Sequence, residues 1–148
     1  MTSRAGVMLA AAIGAAVLGG CGGGGGGSTP ASSLPDGSYS GQSDAQDDGS
    51  YGIVSFTVSA GTVSDASFVM YDDDGTPHDA EYGLGSDGTP ADEAFYQRAQ
   101  NAIKAEQSYV SQFDEVGDQN EVEAIAGASL SYRVFLDAIT VAIDNGAA

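Results

Sequence analysis

The sequence contains very few basic residues, and it has only one cysteine and one histidine. Four Lys and Arg stand against 21 Asp and Glu, which gives a net charge of −17. Nucleic acid and anionic lipid surfaces are bound through basic patches, so this balance argues against both as direct partners. One Cys and one His cannot supply the four ligands of a structural zinc site, and one Cys excludes a disulfide within the chain. The length of 148 residues indicates one domain with room for a targeting segment.

The single cysteine, Cys21, follows a segment that is typical of a bacterial lipoprotein signal. An uncharged, mostly apolar run covers residues 5–18, after Arg4, and it is shorter than the roughly 20 residues of a transmembrane helix. The run ends in Leu18-Gly19-Gly20-Cys21, an apolar residue and two small ones before the cysteine. This resembles a lipobox, so we expect cleavage before Cys21 and lipidation of its thiol. A plain export signal and a short buried helix are the alternatives.

The composition divides the chain into three parts. We expect residues 1–20 to be the signal peptide, residues 21–35 a lipidated cysteine with a tether rich in Gly and Ser, and residues 36–148 the folded domain. The tether has almost nothing to bury and cannot fold alone. Acyl chains on Cys21 would hold the protein on the extracytoplasmic side of the membrane, in the cell envelope.

Hydrophobic periodicity predicts an α+β domain, a mostly antiparallel sheet with two packed helices. In the first clear hairpin, Val54, Phe56 and Val58 alternate with polar residues. Apolar residues recur every three or four positions from Phe95 to Phe113, with Glu106 among them. The predicted order is β-β-β-α-β-α, with strands at 37–42, 51–59, 62–71 and 121–126, and helices from about 92 to 117 and from the Gly-Ala-Ser turn at 127–129 to about 144.

The acidic loop after the third strand resembles part of a calcium-binding loop. If Gly75 is aligned with the loop glycine, Asp72, Asp74 and Glu81 fall at ligand positions. Met70 then occupies the first position, where a carboxylate is needed, and no helix precedes it. An acidic hairpin loop is therefore the favoured interpretation, and we expect no metal site.

Nucleophilic catalysis is poorly supported, because Ser129 lacks the glycine that follows a nucleophile elbow and the one histidine, His78, lies in the acidic loop. The turn Gly127-Ala128-Ser129 can instead bind an anion, since glycine allows close approach and the helix dipole favours phosphate. Arg133 lies one turn further along the predicted helix. Capping of the helix by Ser129, with Arg133 on the surface, is the alternative.

Several segments resemble the FMN-binding domain family, which includes flavin-carrying subunits of sodium-pumping quinone reductases and flavinylated extracellular lipoproteins. The resemblance covers about residues 36–148. Asp36-Gly37-Ser38-Tyr39-Ser40-Gly41 is similar to the family's opening DGxYxG, and Gly83-Leu84-Gly85 loosely resembles its glycine-rich loop. The strongest similarity lies in residues 123–131, EAIAGASLS, which resemble the family segment D-A-V-S-G-A-T-x-S.

The resemblance implies an FMN carrier to which a separate flavin transferase attaches the cofactor through a phosphoester. It implies that Ser129 is the acceptor, that Gly127 and Ala128 form the phosphate turn, and that Glu123 occupies the place of the family's acidic residue. Ser129, Ala126 and Glu123 replace the family's threonine, serine and aspartate. Serine keeps the nucleophilic oxygen.

We therefore expect a membrane-anchored, extracytoplasmic electron carrier rather than a turnover enzyme, with membrane redox partners. A non-redox ligand-binding or divalent-ion-binding surface lipoprotein on the same fold is the alternative.

Overall fold

The computed structural model describes residues 29–148. The predicted signal peptide, Cys21 and the run of glycines after it lie outside the described residues, and the predictions made for them stay predictions. Within residues 29–148 no helix has the length and apolar character needed to cross a membrane.

The described chain forms a three-stranded antiparallel sheet covered by two helices, which confirms the predicted α+β fold. Helix α2 packs on β1 and β2, and α1 packs on β3. A side chain at Gly41 of β1 would collide with the backbone of Ala138 and Ala142, so α2 lies directly on this strand. The elements are β1 (Gly37–Gln42), β2 (Tyr51–Ser59), β3 (Thr62–Tyr71), α1 (Glu93–Val116) and α2 (Ser129–Asn145), with short 3-10 turns at Ala31–Ser33 and Gln119–Glu121.

The hairpin of β2 and β3 supplies one face of the core. Val54, Phe56 and Val58 are buried as their alternation predicts. On β3 the buried positions change phase between Val63 and Phe68. The pairing with β2 shifts register between Ser55 and Thr57. Such a bulge inserts one extra residue and returns the apolar side chains to the core face.

Helix α1 begins and ends where its sequence predicts. The Asp92 carboxylate accepts a hydrogen bond from the Phe95 amide at 3.0 Å, which caps the first turn. Gly117 ends the helix at a φ of 66°, a left-handed conformation that glycine adopts without strain. Between these ends, Tyr109 and Phe113 are completely buried, which confirms the second half of the predicted apolar face, whereas Phe95 in the first half is exposed.

The predicted strand at 121–126 is wrong. Residues 119–121 form a 3-10 turn, and residues 122–128 form no strand or helix. Side chains of the two helices take the place of a neighbouring strand there. The Glu123 amide donates to Gln112 Oε1 at 2.8 Å, and the Tyr132 hydroxyl donates to the Val122 carbonyl at 2.8 Å. The alternation of apolar residues predicted a strand because it cannot show whether the backbone at 121–126 bonds to another strand or to side chains.

The packed structure begins earlier than residue 36. Ala31 is completely buried, and its amide donates to Gln119 Oε1 at 3.1 Å. The Ser32 amide donates to the Gly117 carbonyl at 2.8 Å. Part of the segment that its composition assigned to the tether is therefore fastened to the end of α1, because a small apolar residue fits beside Gln119.

Candidate functional site

The amino end of α2 is open. Ala128 is the N-cap residue and provides no side-chain cap, while Ser129 is the first helical residue. Across residues 29–148, nothing accepts a hydrogen bond from the amides of Ser129, Leu130 or Ser131, and nothing bonds to the Ser129 hydroxyl. Ser129 is exposed and is not a helix cap, so the predicted alternative of capping by Ser129 is wrong, although Arg133 does lie on the surface as that alternative expected. Three free amides and the helix dipole make this end suitable for an anion.

The turn before α2 is held by hydrogen bonds on its buried side and has free space on its solvent side. Gly127 has a φ of 86°, and a Cβ built on it would meet nothing within 4 Å. Ala128 is buried, and its carbonyl accepts a hydrogen bond from the Tyr109 hydroxyl at 3.2 Å. The same hydroxyl accepts a hydrogen bond from the Ile125 amide at 3.0 Å. One buried side chain of α1 thus holds both ends of the turn.

A cavity of about 300 Å³, called here the α2 cavity, opens beside this turn. Its volume lies at the lower end of the range for small-molecule sites. Phe95 and Leu130 are 42% and 39% exposed, large apolar side chains left open to solvent at its wall. The other lining residues are mostly small or apolar, with a few polar groups: Met70, His78, Tyr82, Arg98, Ala99, Ala102, Glu106, Gly127, Ala128 and Ser131.

Glu106 is the buried acid of the α2 cavity, with 3% of its surface exposed. The Ser131 hydroxyl donates to Glu106 Oε1 at 2.7 Å. Burial raises the pKa of the Glu106 carboxyl above its usual value, while the hydrogen bond from Ser131 opposes this shift. Oε2 makes no hydrogen bond within the described chain.

His78 belongs to an ordered cluster at the wall of the cavity and is not simply solvated. Its ring stacks on Tyr82 with centroids 3.8 Å apart, and Nε2 lies 2.9 Å from Asp72 Oδ1. The Tyr82 hydroxyl donates to the same carboxylate oxygen at 3.0 Å. Burial, together with this hydrogen bond, raises the pKa of Tyr82 to about 12, so its phenol stays protonated at neutral pH.

The carboxylates of Asp72 and Asp74 in the acidic loop bond to neighbouring residues of the loop. Asp72 is engaged by His78 and Tyr82, and Asp74 Oδ1 accepts a hydrogen bond from the Thr76 amide at 2.9 Å. No group of three or more potential ligands converges anywhere in the part of the chain that the structure describes. The Asp72 and Asp74 carboxylates are thus held by hydrogen bonds to neighbouring residues of the loop.

The structure brings some predicted site residues together and separates others. Gly127 and Ala128 line the α2 cavity, whereas Arg133 lines a neighbouring cavity of about 360 Å³ with Asp47 and Asp48. Leu130 lies on the wall of both cavities. Glu123 is exposed, on the segment before the turn.

The glycine-rich loop lies on the far side of Tyr82 and Phe95. Gly83 and Leu84 line a larger cavity of about 550 Å³, which shares the walls of Tyr82 and Phe95 with the α2 cavity. Gly85 lines a third cavity beside Leu84. The loop and the turn at 127–129 are thus neighbours across two aromatic side chains.

The residues of the α2 cavity that were not identified as site residues from the sequence include Tyr82, Phe95, Arg98 and Glu106. Glu106 carried a usable signal, because it is a charged residue within the apolar face of α1. Arg98, one of the few basic residues, approaches the turn only through the packing of α1 beside α2.

No protein-family model matches the chain, and no curated protein matches it. A solved structure, that of the CPE2226 protein from Clostridium perfringens, is similar with a TM-score of 0.56 and 18% sequence identity. The similarity covers 75% of this chain and 88% of that one. At this identity it concerns the fold: the chain shares its backbone arrangement with the CPE2226 protein.

Proposed function

We propose that the protein is an extracytoplasmic, membrane-anchored FMN carrier that functions in electron transfer. The observation that carries the proposal is the open amino end of α2, where the Ser129 hydroxyl is unbonded and its neighbours Ala128 and Leu130 line a cavity that has aromatic walls. The sequence resemblance at residues 123–131 falls on this same turn. The resemblance of residues 18–21 to a lipobox supports the location.

The residues present suit the two chemically different parts of FMN. Three free amides at Ser129, Leu130 and Ser131 suit a phosphate, and Gly127 leaves the outer side of the turn clear. Tyr82 and Phe95 offer the planar apolar surfaces that suit an aromatic ring. Arg98 adds a positive charge at the cavity in a strongly acidic protein.

Covalent attachment at Ser129 fits this environment. The transferase would use a flavin phosphoanhydride as donor. Ser129 Oγ would bond to phosphorus as the anhydride P–O bond breaks, the other phosphate of the anhydride would leave with its substituent, and the hydroxyl proton would pass to a base. FMN supplies the redox chemistry when bound, while the protein sets its position and local field. An excess of negative charge repels free FMN at long range, so a permanent bond is useful outside the cell.

The test is co-expression with a magnesium-dependent flavin transferase, followed by denaturing electrophoresis and in-gel flavin fluorescence. We expect a fluorescent band for the wild type, an equal or stronger band for Ser129→Thr, and none for Ser129→Ala. Since the Ser129 hydroxyl makes no hydrogen bond, Ser129→Ala should change the free energy of unfolding by less than about 0.5 kcal/mol.

Thr140→Ala is the matched control, because it removes another exposed hydroxyl from α2 and should leave the band unchanged. A band that survives Ser129→Ala would locate the flavin elsewhere. Absence of a band and of any reversible FMN binding in the wild type would contradict the proposal and favour the non-redox alternative.

A further inference from the structure

One carboxylate oxygen of Glu106 accepts a hydrogen bond within the described chain, and the other accepts none. Ser131 donates to Oε1 at 2.7 Å, which fixes the carboxyl between the two helices. Oε2 has no partner, yet the described chain contains no fully buried side-chain oxygen that lacks a hydrogen bond. Oε2 is therefore accessible, and the opening beside it is the α2 cavity that Glu106 lines.

The surroundings of Oε2 mean that a bound ligand must supply a hydrogen-bond donor to it. Glu106 is 3% exposed, and Met70, Ala99 and Ala102 line the same cavity without polar side-chain groups. His78, Tyr82 and Arg98 also line it, but none of them bonds to Oε2. A ligand that fills the cavity displaces water from Oε2. Such a ligand leaves a carboxylate oxygen unpaired unless it offers a hydrogen-bond donor of its own, and an unpaired buried acceptor is costly.

We propose that Glu106 is the specificity-determining residue of the α2 cavity, and that Oε2 accepts a hydrogen bond from a ring N–H of the ligand. The inference rests on the proposed flavin-binding function and adds to it the class of ring selected. That class is planar heteroaromatic rings that carry an unsubstituted N–H donor at the edge. Rings of the same size whose N–H is methylated are rejected.

The experiment compares riboflavin with 3-methylriboflavin, measured by fluorescence titration on the domain without covalent flavin. Neither probe has a phosphate, so neither depends on the helix amides or on Ser129. We expect the wild type to bind riboflavin at least about tenfold more tightly than the methylated probe. Glu106→Leu should bind the two probes alike, and Glu106→Gln, which keeps a carbonyl oxygen, should retain part of the preference.

Glu115→Leu is the matched control, because it removes the same charge from an exposed position on α1 and should keep the full preference. Equal binding of the two probes by the wild type would overturn the inference even if Glu106→Leu did not fold, and a preference that survives in folded Glu106→Leu would do the same. If the wild type bound neither FMN nor riboflavin, the proposed function would fail and this inference with it. A riboflavin preference without flavinylation of Ser129 would support the role of Glu106 and count against covalent attachment alone.

Discussion

Removal of one buried hydroxyl, by Tyr109→Phe, should loosen the turn on which the proposed site depends. The hydroxyl donates to the Ala128 carbonyl and accepts from the Ile125 amide. Ala128 keeps a second bond, because its carbonyl also accepts from the Tyr132 amide at 3.0 Å. The Ile125 amide, in a partly buried position, loses its partner altogether.

The expected loss in the free energy of unfolding follows from the fact that the Ile125 amide is left without a partner while the Ala128 carbonyl is not. Loss of a net hydrogen bond contributes about 1 kcal/mol, and an unpaired, partly buried N–H contributes roughly as much again. Tyr109→Phe should thus lower the free energy of unfolding by about 2 kcal/mol, measured by urea denaturation, which corresponds to a shift of roughly 8 °C in Tm for a domain of this size. Flavin incorporation should fall with it.

Tyr132→Phe is the comparison. Its hydroxyl makes a single bond, to the Val122 carbonyl, and a carbonyl tolerates loss of a partner better than an amide does. We expect a loss of about 1 kcal/mol. Equal losses in the two variants, or a loss below about 0.5 kcal/mol for Tyr109→Phe, would refute the claim that Tyr109 holds the turn.

Three further predictions concern the turn, the buried acid and the anchor. Gly127→Val should cost about 1–2 kcal/mol in urea denaturation, because a φ of 86° strains a β-branched residue, and it should lower flavin content, whereas exposed Ala126→Ser should preserve both. Glu106→Gln should be more stable than the wild type at pH 7. The fold raises the pKa of this carboxyl, so the wild type binds the proton more tightly when folded and loses stability as pH rises above the unfolded pKa; the difference should vanish near about pH 4. Cys21→Ser should release the protein from the membrane fraction, and a variant that stays bound after a high-salt wash would contradict lipid anchoring.

The sequence was most informative for features that depend only on residues close together in the chain, such as helix caps and hydrophobic periodicity. Asp92 and Gly117 mark the ends of α1, and the alternation around Phe56 marks the buried face of β2, because capping and periodicity depend on neighbours in the chain. The same alternation misled at 121–126, where Gln112 and Tyr132 supply the hydrogen bonds that a strand would have supplied.

The candidate site was predictable only in part, because some of its residues come together from distant parts of the chain. Gly127 and Ala128 are adjacent in the chain, so their turn is visible in the sequence. Glu106 meets Ser131 across 25 positions, and His78 reaches the cavity through a loop whose path no local pattern fixes. Such long-range approaches follow from helix packing and not from spacing in the sequence.

The fastening of residues 31 and 32 beside Gly117 has a consequence for how the domain would stand on a membrane. The chain enters at the carboxyl end of α1, whereas the residues of α1 that line the α2 cavity run from Phe95, in its first turn, to Glu106, just past its middle. At 1.5 Å per residue, these positions are roughly 16 to 33 Å apart along the helix axis. If the anchor is at Cys21, the anchored segment joins the domain at this end of α1, and a partner at the α2 cavity would approach the domain at a distance from that point of attachment.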